Sequence, residues 1–286
     1  IDAFPNVSPV QVKLILKAPG MTPEEVESRV IAPLEMELLG LPRQSILRSA
    51  AKYAIADLTI DFEEGTDIYW ARQQVAERYA NVAGILPAGV EGGLAPLATP
   101  LSDLFMFTIE GGEISAQERR ALLDWTIRPA LRTIPGVADV NALGGEVRTF
   151  TVVPDREALA RAGVSFQALA DALATNNRND GAGRLAEGEE ALIVRVEGAI
   201  RSLDDLRAVV VKHDGAMPVR VADVADVRTE SLTRYGAVTR DGEGEAVEGL
   251  VIGLRGADAS RLIKAVRARL AELEPSLPKG VRLEVF

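Results

Sequence analysis

No cysteine occurs anywhere in the 286 residues, and histidine occurs once. The first absence removes disulfides, thiolate metal sites and cysteine nucleophiles together. The second removes His-rich zinc sites and leaves a Ser–His–Asp triad without a credible base. His213 lies in the turn-like run Lys212-His-Asp-Gly-Ala216 and reads as an exposed loop residue. With no nucleophile–base set to assemble, the sequence reads as a non-enzyme, and no cofactor is expected. Aromatic residues amount to 5%, which is thin for a ring-lined cleft. No run of about 18 apolar residues exists, so no helix of this chain is expected to span a bilayer. Positive charge is also in deficit: 32 Lys and Arg stand against 42 Asp and Glu, a net charge of −10. Binding to nucleic acid is therefore not expected, and the pair Arg119–Arg120 reads as part of a solvated helix face.

What is present is a core-forming composition, 47% hydrophobic and 26% charged, over a length that calls for two or more packed units. The start, Ile1-Asp-Ala-Phe-Pro5, has neither a signal peptide nor a basic targeting segment, and it lacks an initiator Met. The last segment, 281–286, stops within an alternating strand pattern. Both ends read as cuts in a longer chain.

Short apolar strands alternate with amphipathic helices. A strand over 10–16 leads to a helix that opens at Thr22-Pro-Glu-Glu25, where Thr22 caps, Pro23 suits the first helical position and Glu25 completes a capping box. Pro33, inside that helix, should kink it. Strands over 45–49 and 55–62 follow, then a helix over 66–86. A second unit repeats the plan: a strand at 104–109, a capping box at Ser115-Ala-Gln-Glu118, a helix with the internal Pro129, and strands over 137–153 broken at Gly144-Gly145. Much later come a strand at 247–254, a helix at 258–274 and a closing strand. Ile31-Ala-Pro33 matches Ile127-Arg-Pro129, and Leu86-Pro-Ala-Gly-Val90 matches Leu277-Pro-Lys-Gly-Val281. These pairs favour two copies of one βαββα-like unit, of the split βαβ kind, in an α+β fold. The stretch of roughly 151–234 reads as a small α+β insert with helices at 155–162 and 165–176. A Gly-rich loop over 177–188 comes next, read as flexible and reaching, then strands near 191–197, 209–212 and 219–227.

Few residues suggest chemistry. Gly111-Gly112 and Gly144-Gly145 are possible sites of close backbone approach, but no Lys-Ser/Thr follows to make a phosphate loop. The carboxylate groups Glu24-Glu25, Asp61–Glu64 and Glu187–Glu190 read as solvated, with no calcium-loop spacing among them. Met21, Met36, Met106 and Met217 are scattered and form no soft-metal cluster. Asp103 directly precedes an apolar strand. Asp139, Asn141 and Leu143 share one face of the 137–143 strand by alternation, facing either solvent or a cavity.

Several ordered motifs resemble the resistance–nodulation–division efflux pumps: Pro19-Gly-Met-Thr-Pro-Glu-Glu-Val-Glu27, Pro135-Gly-Val-Ala-Asp-Val140, Asn176-Asn177, Val194-Arg195 and Arg234-Tyr-Gly-Ala-Val-Thr239. Phe62-Glu-Glu-Gly-Thr-Asp-Ile-Tyr-Trp-Ala-Arg72, continued by Val75-Ala-Glu-Arg78, is similar to the heavy-metal branch; Ala182 departs from a glycine common there. The resemblance spans the chain and implies the first periplasmic loop of a proton-driven inner-membrane pump. Residues 1–100 would form one pore subdomain, 101–150 with 236–286 a second, and 151–235 an inserted docking subdomain. It implies a homotrimer working with a periplasmic adaptor and an outer-membrane channel, on the periplasmic side of a Gram-negative inner membrane, the rest of the pump supplying a second periplasmic loop and the membrane helices. A metal ion would be cargo rather than cofactor. Asp103, Asp139, Asn141 and Leu143 would border the substrate path, with Asp103 and Asp139 as candidate metal-facing carboxylates. Asn177, Gly181, Gly183 and Gly188 would belong to a loop reaching a neighbouring subunit. Two other readings remain open at this level: the same loop in a pump for organic molecules, and a free-standing periplasmic binding protein.

Overall fold

A computed structural model describes residues 8–99, 102–177, 180–187, 190–196, 198–214, 217–234, 236–242 and 244–286. The first unit runs β1 (Val10–Lys17), a helix over 23–38, β2 (Gln44–Lys52), β3 (Ile55–Phe62), a helix at Ile68–Ala83, and β4 (Glu91–Leu94). Strand alternation sets its faces. Val12, Leu14 and Leu16 of β1 are buried under the helices, whereas Lys13, Ile15 and Lys17 point away. The strands lie in the order β2-β3-β1-β4, all neighbours antiparallel.

The expected kink at Pro33 takes a specific form. Proline lacks an N–H, and its ring crowds the carbonyl four residues back. A π-helical turn, Glu27–Ile31, lies immediately before the Ala32–Leu38 segment, with the Ala32 N–H reaching the Glu27 carbonyl. Opening the helix by one residue makes room for the ring. The second unit repeats the device at Leu123–Ile127, with the Arg128 N–H on the Leu123 carbonyl and Pro129 beyond.

That second unit begins with β5 (Asp103–Gly111), a helix over 116–132 and β6 (Val137–Gly144). The chain then leaves along β7 (Arg148–Pro154), forms helices Arg156–Ala162 and Phe166–Asn176, and makes a hairpin of β8 (Asp180–Glu187) and β9 (Glu190–Val196). Helix Leu203–Ala208, β10 (Val210–Asp214), β11 (Met217–Arg220), a helical turn Val221–Val224 and β12 (Ala225–Ser231) complete the excursion. β7 and β12 pair antiparallel along seven residues, so exit and return share one two-stranded stem. After β13 (Val238–Thr239), the second unit resumes with β14 (Glu245–Gly253), helix Ala259–Leu273 and β15 (Val281–Val285). Four of its five strands, in the order β6-β14-β5-β15, repeat the order of the first unit, and the short β13 is added beside β14. The duplication read from the paired motifs is thus a pair of βαββαβ units, each closed by one more strand after the Pro-x-Gly turn than βαββα supplied.

Two sequence expectations change. The stretch 177–188, read as a flexible loop, is largely strand: β8 pairs with β9 in register, with a bulge between Gly181 and Gly183, while Gly188 lies outside the described residues. Alternate glycines weaken a strand without forbidding it, and hairpin partners supply the missing order. The strand expected over 219–227 is interrupted by the Val221–Val224 turn, whose entry is capped by the Asp223 carboxylate on the Arg220 N–H. Three separate apolar clusters result. One centres on Leu14, Leu34 and Ile60, one on Phe107, Ile127 and Val266, and one on Leu159, Val221 and Val227.

Candidate functional site

Each βαββαβ unit packs one sheet face under its helices; in the second unit the other face is exposed at Asp103, Asn141 and Leu143 and covered at its centre, where Thr108 and Leu250 are buried. In the second unit, Phe105, Phe107 and Ile109 of β5 and Val247 and Val251 of β14 turn to the helices. Their alternates make the outer face, and register fixes which of them adjoin. Leu143, Glu248, Thr108 and Glu284 stand opposite one another across β6, β14, β5 and β15. The next row holds Asn141, Leu250 and Met106, and the row beyond it Asp139, Ile252 and Asp103. The four residues singled out from sequence therefore fall on one sheet. Asn141 and Asp103 are exposed, and Leu143 is 38% exposed.

Asp139 has a different occupation. Its carboxylate receives Arg128 at 3.0 and 3.1 Å and Arg132 at 3.5 Å, both from the helix behind the sheet, and also accepts the Val140 N–H at 2.8 Å. Two guanidiniums already lie against it, which disfavours a further cation at this carboxylate. Replacing Asp139 with alanine should lower chain stability by about 1–3 kcal/mol, the cost of stranding half-buried charged donors. Urea denaturation measures it; an unchanged midpoint would mean the pair contributes nothing.

The residues that sequence reasoning passed over are Met106, Thr108, Leu250 and Glu248. Glu248 was legible as the one charge inside an otherwise apolar run at 247–254, and Met106 and Thr108 as the alternates of Phe105 and Phe107. Arg240 carried no local signal. It follows β13, and its guanidinium crosses to Thr108 Oγ1 at 2.5 Å, Glu110 at 3.2 Å and Glu284 at 2.8 Å, over the Phe286 ring. Glu284 is held below the usual carboxylate range, first by its hydrogen bond from Arg282 and then by Arg240. Because that shift is downward, the contact is strongest above the ordinary carboxylate pKa and weakens as pH falls through the depressed one. Arg240, Glu110 and Glu284 line a cleft of about 320 Å³ in which Arg119, Arg240 and Arg282 face the carboxylates of Glu110, Asp241, Glu245 and Glu284.

Other candidates resolve into structural roles. Arg119 donates to the carbonyls of Ile109 and Gly111, and Arg120 to that of Gly144 and to Asp124, so the pair clamps two strand ends instead of facing solvent. Buried Asp61 is paired with Gln11 at 2.8 Å and Arg48 at 2.5 Å. Asn177 Oδ1 accepts the Ile200 N–H at 3.1 Å, closing the base of the β8–β9 hairpin. His213 is exposed, as expected, but on strand β10 and not in a loop. Among the described residues no cluster of three or more Asp, Glu or His side chains could hold a metal, and no helix is long and apolar enough to cross a membrane.

The pattern of the AcrB/AcrD/AcrF family matches residues 1–286, the whole chain. The chain belongs to that family. Within it, the chain is 35% identical to the cobalt-zinc-cadmium resistance protein CzcA of Cupriavidus metallidurans over 99% of its length, covering 27% of that relative. It is 36% identical to the cation efflux system protein CusA of Escherichia coli K12, again over 99% of itself and 27% of the relative. A crystal structure of a heavy metal efflux pump superposes on all of the chain with a TM-score of 0.89 at 29% identity, over 29% of that pump. The chain thus spans little more than a quarter of the length of these relatives. The efflux-pump resemblance read from Phe62–Arg72 and its companions holds along the entire chain.

Proposed function

We propose that this chain is the first periplasmic portion of a transporter that exports metal cations, and that the outer face of its second sheet borders the cation's path. The observation that carries the reading is similarity along this whole chain to about a quarter of relatives named for cobalt, zinc and cadmium resistance and for cation efflux, together with the fold of part of a heavy metal efflux pump. The face offers the carboxylates of Glu248 and Asp103, the amide of Asn141 and the thioether of Met106. Oxygen donors suit hard and borderline cations, and one thioether widens the range without selecting a soft ion. A scarcity of rings on this face, Phe286 excepted, speaks against an organic cargo.

In this reading residues 1–100 and 101–150 with 236–286 are pore subdomains, and 151–235 is a docking subdomain. The β8–β9 hairpin, containing Gly181 and Gly183, reaches a neighbouring subunit of a homotrimer. An adaptor and an outer-membrane channel join on the periplasmic side of the inner membrane, and proton flow in the rest of the pump drives the cycle. Expressing the full-length protein in a metal-sensitive host tests this. Tolerance to at least one of Zn²⁺, Co²⁺, Cd²⁺, Cu⁺ or Ag⁺ should rise, with tolerance to organic dyes unchanged. The opposite pattern would move the cargo to organic molecules.

A further inference from the structure

Thr108 breaks the pattern of the outer face. Strand alternation turns its side chain away from the helices, as it turns those of Met106 and Glu110, yet Thr108 is only 1% exposed. The cover is Arg240. Beyond β13 the chain tightens into a turn, with the Arg240 N–H on the Gly244 carbonyl at 3.3 Å, and the side chain runs back across the sheet. Its guanidinium donates to Thr108 Oγ1 and holds Glu110 at 3.2 Å and Glu284 at 2.8 Å, with the Phe286 ring centre 5.9 Å away. One cation thus takes up two carboxylates from adjacent strands. Glu248, which flanks Thr108 on the opposite side, and Asp103, farther along the face, are placed differently. Among the described residues no ion pair reaches either of them. The outer face therefore carries two sorts of carboxylate, one pair held by Arg240 and two left open.

We propose that Arg240 is a built-in counter-cation that withholds Glu110 and Glu284 from the cargo and so confines a passing metal cation to the Glu248, Asn141 and Asp103 side of the face. This rests on the reading that the face borders a cation path. A guanidinium stays charged at every physiological pH, and its tether keeps it from leaving with the cargo. Two carboxylates that share one fixed cation offer little net attraction to a second. Without Arg240, Glu110 and Glu284 would stand as two oxygen-donor anions within reach of a single ion, the kind of arrangement that holds a hard divalent cation. Conduction needs stations weak enough to leave, so a tight one on the route would hold cargo back. Arg240 is in this sense a positioning residue. It touches no cargo and acts through the carboxylates it occupies.

The probe is Mn²⁺, which prefers oxygen donors and whose unbound fraction is counted by electron paramagnetic resonance. Titrated into this chain, Arg240→Gln should bind its first equivalent about ten-fold more tightly than the parent. Arg240→Lys, which keeps the charge, should titrate like the parent. Adding Glu110→Gln and Glu284→Gln to Arg240→Gln should abolish the gain, which a merely fold-stabilising contact would not produce at all. A folded Arg240→Gln chain that takes up Mn²⁺ as the parent does overturns the proposal, as does a gain that survives the loss of both carboxylates. Should Arg240→Gln fail to fold, Arg240→Met, which keeps an apolar cover over Thr108, decides: a tighter first equivalent supports the counter-cation, and the parent titration contradicts it. In the full-length transporter, Arg240→Gln should half-saturate at lower metal concentration and turn over more slowly. Parent values for both would contradict the confinement of the path. Efflux by the parent transporter keeps the two readings apart, because a parent that exports no metal refutes the cation path itself.

Discussion

Replacing Phe107 with alanine should destabilise the second unit by about 3–5 kcal/mol, the range for removing a buried aromatic ring from a packed core. Phe107 is the largest of the fully buried side chains. Its ring sits against Gly249 of the neighbouring strand, where an added Cβ would come within 2.3 Å of the ring. No side chain there can swing in to fill the space, so the cavity should persist. The loss should be concentrated in the second unit, because the first has its own core around Leu14, Leu34 and Ile60. Hydrogen exchange should show protection lost in β5, β14 and β15 and kept in β1 and β3. A uniform loss across both units would mean that their folding is coupled more tightly than their separate cores imply.

Gly144→Val should be nearly as damaging, and through the backbone. Gly144 ends β6 at φ +67°, and a Cβ built there lies 2.2 Å from the Ala246 carbonyl oxygen. A left-handed conformation costs an L-residue about 1–2 kcal/mol, and displacing packed neighbours about 1–3 kcal/mol more. The clash is with main chain, so no rotamer relieves it. Leu143 precedes it directly and Asn141 lies in the same strand, and the Arg120 guanidinium holds the Gly144 carbonyl at 2.8 Å. The variant should therefore lower the denaturation midpoint and also disturb the outer face. A midpoint within error of the parent would show that the strand end relaxes freely.

Much of this was legible in the residues. Capping boxes at Thr22 and Ser115 announced helix starts that the structure keeps, and two internal prolines at matching positions announced the repeat. The proline signal stated that the helix must deform, but not that a π turn would absorb the ring, because that depends on which carbonyl the displaced N–H can reach. Alternation placed Asn141 and Leu143 on one face. It placed Asp139 with them too, but alternation fixes a side chain's face and not its partners: Arg128 and Arg132 come from a helix whose packing the strand sequence does not encode. Arg119 and Arg120 misled for the same reason. As neighbours on a helix they suggested solvent, but each reaches a strand end in its own sheet. Arg240 acts across a long sequence separation, and only the folded topology brings Thr108 to it.

Glu248 bears most directly on the central claim, that the outer face of the second sheet borders a cation path. It is a partly exposed carboxylate midway across that face, opposite Leu143 on one side and Thr108 on the other. The decisive measurement is metal efflux by the full-length transporter reconstituted in vesicles, parent against Glu248→Gln, with assembly checked by size exclusion. Removing one charge contact from a cation's route should slow efflux roughly ten-fold, corresponding to about 1.4 kcal/mol, while the oligomer stays intact. Efflux at the parent rate from an intact Glu248→Gln oligomer would contradict the assignment of this face to the path.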